Sequence, residues 1–98
     1  MPGLPVVLHP EAVDEAQAAR IWYAERSQSA GDSFLVELDY GIESISGAPE
    51  RWPLFVHSTR RYLFHRFPFQ IIYRIKNDRI EVVAIAHGRR RPGYWKSR

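Results

Sequence analysis

Residues 61–87 read RYLFHRFPFQIIYRIKNDRIEVVAIAH, and this stretch decides the fold. From Arg61 to Phe67 and from Phe69 to Lys76 it is rich in aromatic and β-branched residues, the composition of strands. Phe69, Ile71, Tyr73 and Ile75 alternate with Gln70, Ile72, Arg74 and Lys76, so one face is apolar throughout and the other is mixed. Asn77-Asp78 is a two-residue link, and both residue types tolerate the positive φ angles that tight hairpins need. The return strand, Arg79 to His87, sets Ile80, Val82, Ala84 and Ala86 against Glu81, Val83, Ile85 and His87. Pro68 has no N–H to give a ladder, so it marks the other reversal or a bulge.

Upstream, the period changes from two to between three and four. His9-Pro10-Glu11 opens a helix: proline suits the first helical position, and Glu11, Asp14 and Glu15 complement the positive end of the helix dipole. Ala12, Ala16, Ala19 and Tyr23 form its apolar stripe, flanked by Val13 and Trp22. Ser27 to Gly31 reads as a turn. A second helix from about Asp32 carries Phe34, Leu38, Ile42 and Ile45 on one face, and Gly47, Pro49 and Pro53 stop it. A short strand, Pro5 to Leu8, precedes both. The predicted fold is therefore α+β, in the order β-α-α-β-β-β, with a helical hairpin packed on a small, largely antiparallel sheet.

With 98 residues there is room for one core, and a single domain over residues 1–98 is expected. The chain has no cysteine, which excludes disulfides, thiolate zinc sites and cysteine nucleophiles. No basic segment leads into a long apolar run at the start, and none of about 18 apolar residues occurs anywhere, so a soluble, unexported, cytoplasmic protein is expected, with no membrane partner. The net charge of +3 conceals a division. Residues 1–50 hold two basic residues and nine acids, a net −7, whereas residues 51–98 hold twelve basic residues and two acids, a net +10. Such a concentrated positive field attracts polyanions or acidic protein surfaces.

Phosphate loops, G-x-G-x-x-G, G-x-S-x-G and H-E-x-x-H are all missing, which argues against nucleotide hydrolysis, dinucleotide redox chemistry and serine hydrolysis. His9, His57, His65 and His87 lie far apart with no acid at ligand spacing, so neither a metal nor any cofactor is expected. What remains is a basic and aromatic constellation: Arg60-Arg61-Tyr62, His65-Arg66, Arg74, and residues 87–98, HGRRRPGYWKSR. Guanidinium groups offer planar, bidentate donors to phosphate or carboxylate, and aromatic rings stack on unpaired bases. Arginine outnumbers lysine twelve to two, which favours geometric recognition over diffuse counter-charge. Structural roles compete with these: Arg61 and Arg66 as ion-pair partners of the acidic helices, and Tyr94 and Trp95 as anchors of the chain's end.

These residues resemble the RelE/ParE superfamily, the small toxins of bacterial type II toxin–antitoxin systems, often called plasmid stabilisation proteins. The resemblance spans nearly the whole chain and is carried by residues 8–12, Trp22-Tyr23, Phe34 to Leu38, Arg61-Tyr62-Leu63, residues 66–69, Ile72-Tyr73-Arg74 and residues 84–95. It implies the same β-α-α-β-β-β fold and a growth inhibitor neutralised by a cognate antitoxin, acidic where it meets the basic patch. ParE-like members inhibit DNA gyrase by binding. RelE-like members are ribosome-dependent, metal-free mRNA endoribonucleases, so whether the chain is an enzyme stays open, as does a degenerate member that only sequesters its antitoxin. If it is a ribonuclease, the resemblance implies Arg61 and Arg66 as phosphate clamps, His87 as general acid or base, and Tyr94 as the group that orients or stacks a base. Glu50 is the one acid near the segment where some relatives carry a carboxylate base. Target or nucleic-acid contact is expected at Arg60, Arg61, Arg89, Arg90, Arg91, Trp95 and Lys96, and antitoxin contact at Trp22, Tyr23, Arg61, Arg66 and Arg74.

Overall fold

The stripes of the two helices and the alternation of the strands meet in one interface. A computed structural model describes residues 3–98. Strand β1 (Val6–Leu8) leads into helix α1 (Pro10–Arg26) and helix α2 (Gln28–Gly47), and then β2 (Leu54–Phe55), β3 (Thr59–Leu63), β4 (Phe69–Ile75) and β5 (Ile80–His87). The sheet order is β1-β5-β4-β3-β2, with β1 parallel to β5 and every other pair antiparallel. Both helices lie on one face. There Ala12, Ala16, Ala19, Phe34, Leu38 and Ile45 bury against Tyr62, Ile71, Tyr73, Ile80, Val82 and Ile85.

Local chemistry sets the helix ends. His9 caps α1, its Nδ1 accepting from the Glu11 N–H at 3.1 Å, with Pro10 in the first turn. The predicted five-residue turn between the helices is a single residue. Ser27, extended at φ −163°, ends α1, and its hydroxyl accepts from the Ala30 N–H at 3.4 Å to start α2 at Gln28. Gly31, read from sequence as the end of that turn, lies inside α2 where the two helices nearly touch: a Cβ there would lie 2.7 Å from the Ala24 Cβ. Gly41 serves the same purpose between α2 and the sheet, where a Cβ would lie 2.8 Å from Ile71 and Tyr62.

The strands depart from expectation in four places. β2 is additional, a two-residue strand paired Leu54↔Arg60 and Phe55↔Thr59 through a turn in which His57 and Ser58 both take positive φ. β3 starts earlier and stops at Leu63; the Phe64 N–H still donates to the Phe69 carbonyl at 3.0 Å, and Phe64 and Phe67 pack on Phe34, at 5.3 Å each between ring centroids. The Asn77-Asp78 link joins β4 to β5 without positive φ at either residue. The largest departure is a bulge in β5. Ile72 pairs with Ala84 but Tyr73 pairs with Val82, so Val83 is the extra residue. A bulge reverses the in/out alternation: Ile80 and Val82 face the helices, and beyond Val83 it is Ile85 and His87 that do, not Ala84 and Ala86.

Ala84 and Ala86 thus face the other side, where residues 88–98 cross the sheet without regular structure. The small alanines leave room for Trp95, which buries against Ile72, Val83, Ala84 and Ala86 and stacks on Phe55 at 5.7 Å. Three layers result: helices, sheet and the 88–98 segment.

Candidate functional site

The bulge that turns Ile85 and His87 toward the helices also builds a groove. It lies between α1 and the end of β5, lined by Ala18, Ala19, Trp22, Tyr23, Phe69, Ile85 and His87, with Glu15 and Arg90 at its margins and a volume of about 430 Å³. Trp22 is 49 % exposed, large for an indole, and Arg26 stacks on it at 3.4 Å while donating to the Trp22 carbonyl. Tyr23 lies edge-on to Trp22 and Phe67, and burial raises its phenol pKa. His87 meets Phe69 edge to face at 5.0 Å, and its Nδ1 accepts from the Arg89 N–H at 3.0 Å, which leaves Nε2 as the nitrogen free for other contacts.

A cationic rim continues from this groove, of which Arg90 is a lining residue. The Gly88 N–H donates to the Pro68 carbonyl at 2.7 Å, fastening the start of the 88–98 segment to the β3–β4 loop that carries Arg66. Arg66, Arg89, Arg90 and Arg91 are exposed, and none forms an ion pair among the described residues. Arg66 is held through its backbone, whose N–H donates to the buried Glu37 carboxylate at 3.0 Å. Arg90 stacks on Tyr94 at 3.9 Å. Lys96 is exposed further along the same segment.

Other predicted site residues have structural partners. Arg60 donates to the Glu50 and Trp52 carbonyls at 3.1 and 2.7 Å, and Glu50 itself is exposed. Arg74 pairs with Glu81 at 2.9 Å and donates to the Arg98 carbonyl at 2.7 Å. Trp95 is 2 % exposed and so contributes no surface. The Tyr94 hydroxyl donates to Glu15 at 2.7 Å, and burial together with that bond pushes its pKa well above the usual phenol range. Arg61 forms no ion pair with the helices. It stacks on Phe55 at 4.4 Å and approaches the Gln70 side chain at 3.5 Å.

The proposed nuclease set is therefore not gathered in one place. Arg61 sits opposite Ile72 in the ladder, and Ile72 faces the 88–98 segment; His87 sits opposite Phe69, which faces the helices. Their side chains leave the sheet on opposite faces, although Arg61 and Gly88, the neighbour of His87, line one hollow with Pro68 and Phe69. Sequence reading missed Glu15, Phe69 and Ile85 as parts of this region, and it placed Arg98 in the basic constellation without its partner Glu15. A bulge and a contact between residues 83 positions apart leave no periodic signature.

The helical hairpin on one face of a short mixed sheet is the fold that the resemblance to RelE/ParE superfamily toxins implies. The family described as "ParE toxin of type II toxin-antitoxin system, parDE" matches residues 6–92, and the chain belongs to that family. Its fold is similar to a chain of the solved structure "Chromosomal ParDE TA system from P. aeruginosa", with a TM-score of 0.75 at 16 % identity, covering 86 % of this chain and 95 % of that one. No curated protein matches it by sequence.

Proposed function

We propose that this toxin arrests growth in the cytoplasm by binding DNA gyrase, and that a cognate antitoxin neutralises it by covering the α1/β5 groove and the arginines beside it. The observation that carries the choice of binding over cleavage is the separation of Arg61 and His87 onto opposite sheet faces. Metal-free RNA cleavage needs its base and its phosphate clamps around one scissile bond, within hydrogen-bond reach. A binding toxin has no such requirement. It needs an exposed, complementary surface; Arg90 and the exposed Trp22 line one groove, and Arg66, Arg89 and Arg91 add exposed cations that form no ion pair among the described residues. The same rim favours an antitoxin that is acidic at the contact, with an apolar side chain for the groove.

Expression from an inducible promoter separates the targets. The expected result is DNA breaks and an SOS response with messenger intact, and undiminished toxicity in His87→Ala. Rapid messenger cleavage that His87→Ala abolishes would replace this reading with a ribosome-dependent ribonuclease. Absence of any growth arrest would point instead to a member that only sequesters its antitoxin.

A further inference from the structure

The 88–98 segment contains no helix or strand, yet it is firmly seated: the Trp95 ring is buried and the Arg98 side chain is only 9 % exposed. Packing by Trp95 alone does not fix its course, since the Trp95 Nε1 has no hydrogen-bond partner among the described residues. The directional contacts converge elsewhere, on one carboxylate. Glu15 projects from α1, on the helical side, and reaches the outer edge of β5 beyond the point where β1 stops pairing with it. Its Oε1 accepts from the Ile85 N–H at 3.0 Å and from Arg98 Nη1 at 2.9 Å; its Oε2 accepts from the Tyr94 hydroxyl at 2.7 Å and from Arg98 Nη2 at 3.0 Å. Arg98 closes the arrangement by donating to the Val83 carbonyl at 3.0 Å, at the bulge.

Four donors on one carboxylate, with both side chains of the ion pair mostly shielded from water (9 % and 16 % exposed), make a strong contact of fixed geometry. It joins all three layers at one point. It also reaches the arginine triplet, because the Tyr94 ring that Glu15 holds is the ring on which Arg90 stacks. We propose that Glu15 is a positioning residue of this toxin: it clamps the 88–98 segment across the β5 edge and so sets Arg89, Arg90 and Arg91 in the arrangement that meets the target, without touching the target itself. The inference rests on the reading above, in which the triplet is part of the target contact.

Glu15→Gln tests it with little change of shape. The amide keeps one oxygen for the Ile85 N–H but turns an NH₂ group toward Arg98, which has only donors, and toward the Tyr94 hydroxyl, which must turn from donor to acceptor. In the full chain, hydrogen exchange of amides 88–98 is expected to accelerate roughly ten- to a hundredfold, as loss of hydrogen bonds to a charged group implies, while amides of α2, β3 and β4 keep their rates. Arg98→Gln is expected to act alike, and the double variant to be no worse than either, because both substitutions break one contact. Inhibition of gyrase and growth arrest are expected to weaken about tenfold with the loosened segment, the effect of a 1.4 kcal/mol loss. Tyr94→Phe, which removes one donor and keeps the ring under Arg90, provides a milder version should Glu15→Gln fold poorly. Wild-type exchange in the 88–98 segment of the variants would overturn the proposal. So would a loosened segment with undiminished growth arrest. If the wild-type toxin does not inhibit gyrase at all, it is the gyrase reading that fails, and the clamp is still judged by exchange and growth arrest.

Discussion

The two faces of the sheet are closed in different ways. On the helical face, Phe34, Leu38, Ile45, Ile71, Tyr73 and Val82 bury large apolar side chains against one another, and dispersion and the hydrophobic effect act over the whole interface. On the opposite face one indole covers Ile72, Val83 and two alanines, and an irregular segment is tied down by a few directional contacts: Glu15 with Arg98 and Tyr94, and Arg74 with Glu81 and the Arg98 carbonyl. The first kind of closure tolerates change at its margins but not its centre. The second can open locally while the first stays shut. The exposed Arg89, Arg90 and Arg91 belong to the segment that can open locally.

The contrast is sharpest in a matched pair of truncations. Phe34→Ala, in the middle of the aromatic cluster of Phe64, Phe67, Phe69 and Tyr23, is expected to cost about 3–5 kcal/mol in urea unfolding, with all amides exchanging faster together. Trp95→Ala is expected to cost about 2 kcal/mol, less than its size suggests, with faster exchange concentrated in residues 88–98. Equal, global effects would erase the distinction between the faces.

A smaller effect is expected at Gly93, which takes φ +88° and lies so close to His57 that a Cβ would sit 2.7 Å from its Nε2. Gly93→Ala combines left-handed backbone strain with that contact, at about 1–2 kcal/mol. Its effect should again be local to the segment and to the His57-Ser58 turn that supports it.

The smallest effect tests the charged part of the second face. The Arg74 hydrogen bond holds the Glu81 carboxyl below its ordinary pKa of 4.5. A carboxyl depressed by folding stabilises the protein fully above its unfolded pKa, and loses that contribution as pH falls through the lower folded value. The difference in urea stability between wild type and Glu81→Gln is therefore expected to be about 0.5 kcal/mol at neutral pH, in the range of partly exposed ion pairs, and to vanish in acid below the folded pKa. A difference that persists there would assign the effect to packing.

These two kinds of closure also explain what was legible in the sequence. The stripes Ala12-Ala16-Ala19 and Phe34-Leu38-Ile45 and the alternation of Phe69 to Ile75 are periodic because they serve a continuous apolar interface, and they located both helices and β4. Where periodicity breaks, the reading broke with it. The bulge at Val83 moved Ile85 and His87 to the helical face, and Phe64 and Phe67, strand-like in composition, act as loop anchors. The arginines of the rim were visible as composition, but not which were already engaged: Arg60, Arg74 and Arg98 have partners, whereas Arg66 and Arg89 to Arg91 form no ion pairs among the described residues. Glu15 looked like any acid in the first turns of a helix. Its role depends on donors from Ile85, Tyr94 and Arg98, which only the folded chain brings to it.

Action by binding rather than by cutting is what we propose for this ParE-family toxin. It is tested most directly by adding the purified chain, in parallel, to gyrase with relaxed plasmid and to a reconstituted translation reaction programmed with a defined messenger. Inhibited supercoiling with the messenger intact is the expected result. A cleaved messenger with supercoiling unaffected would contradict it.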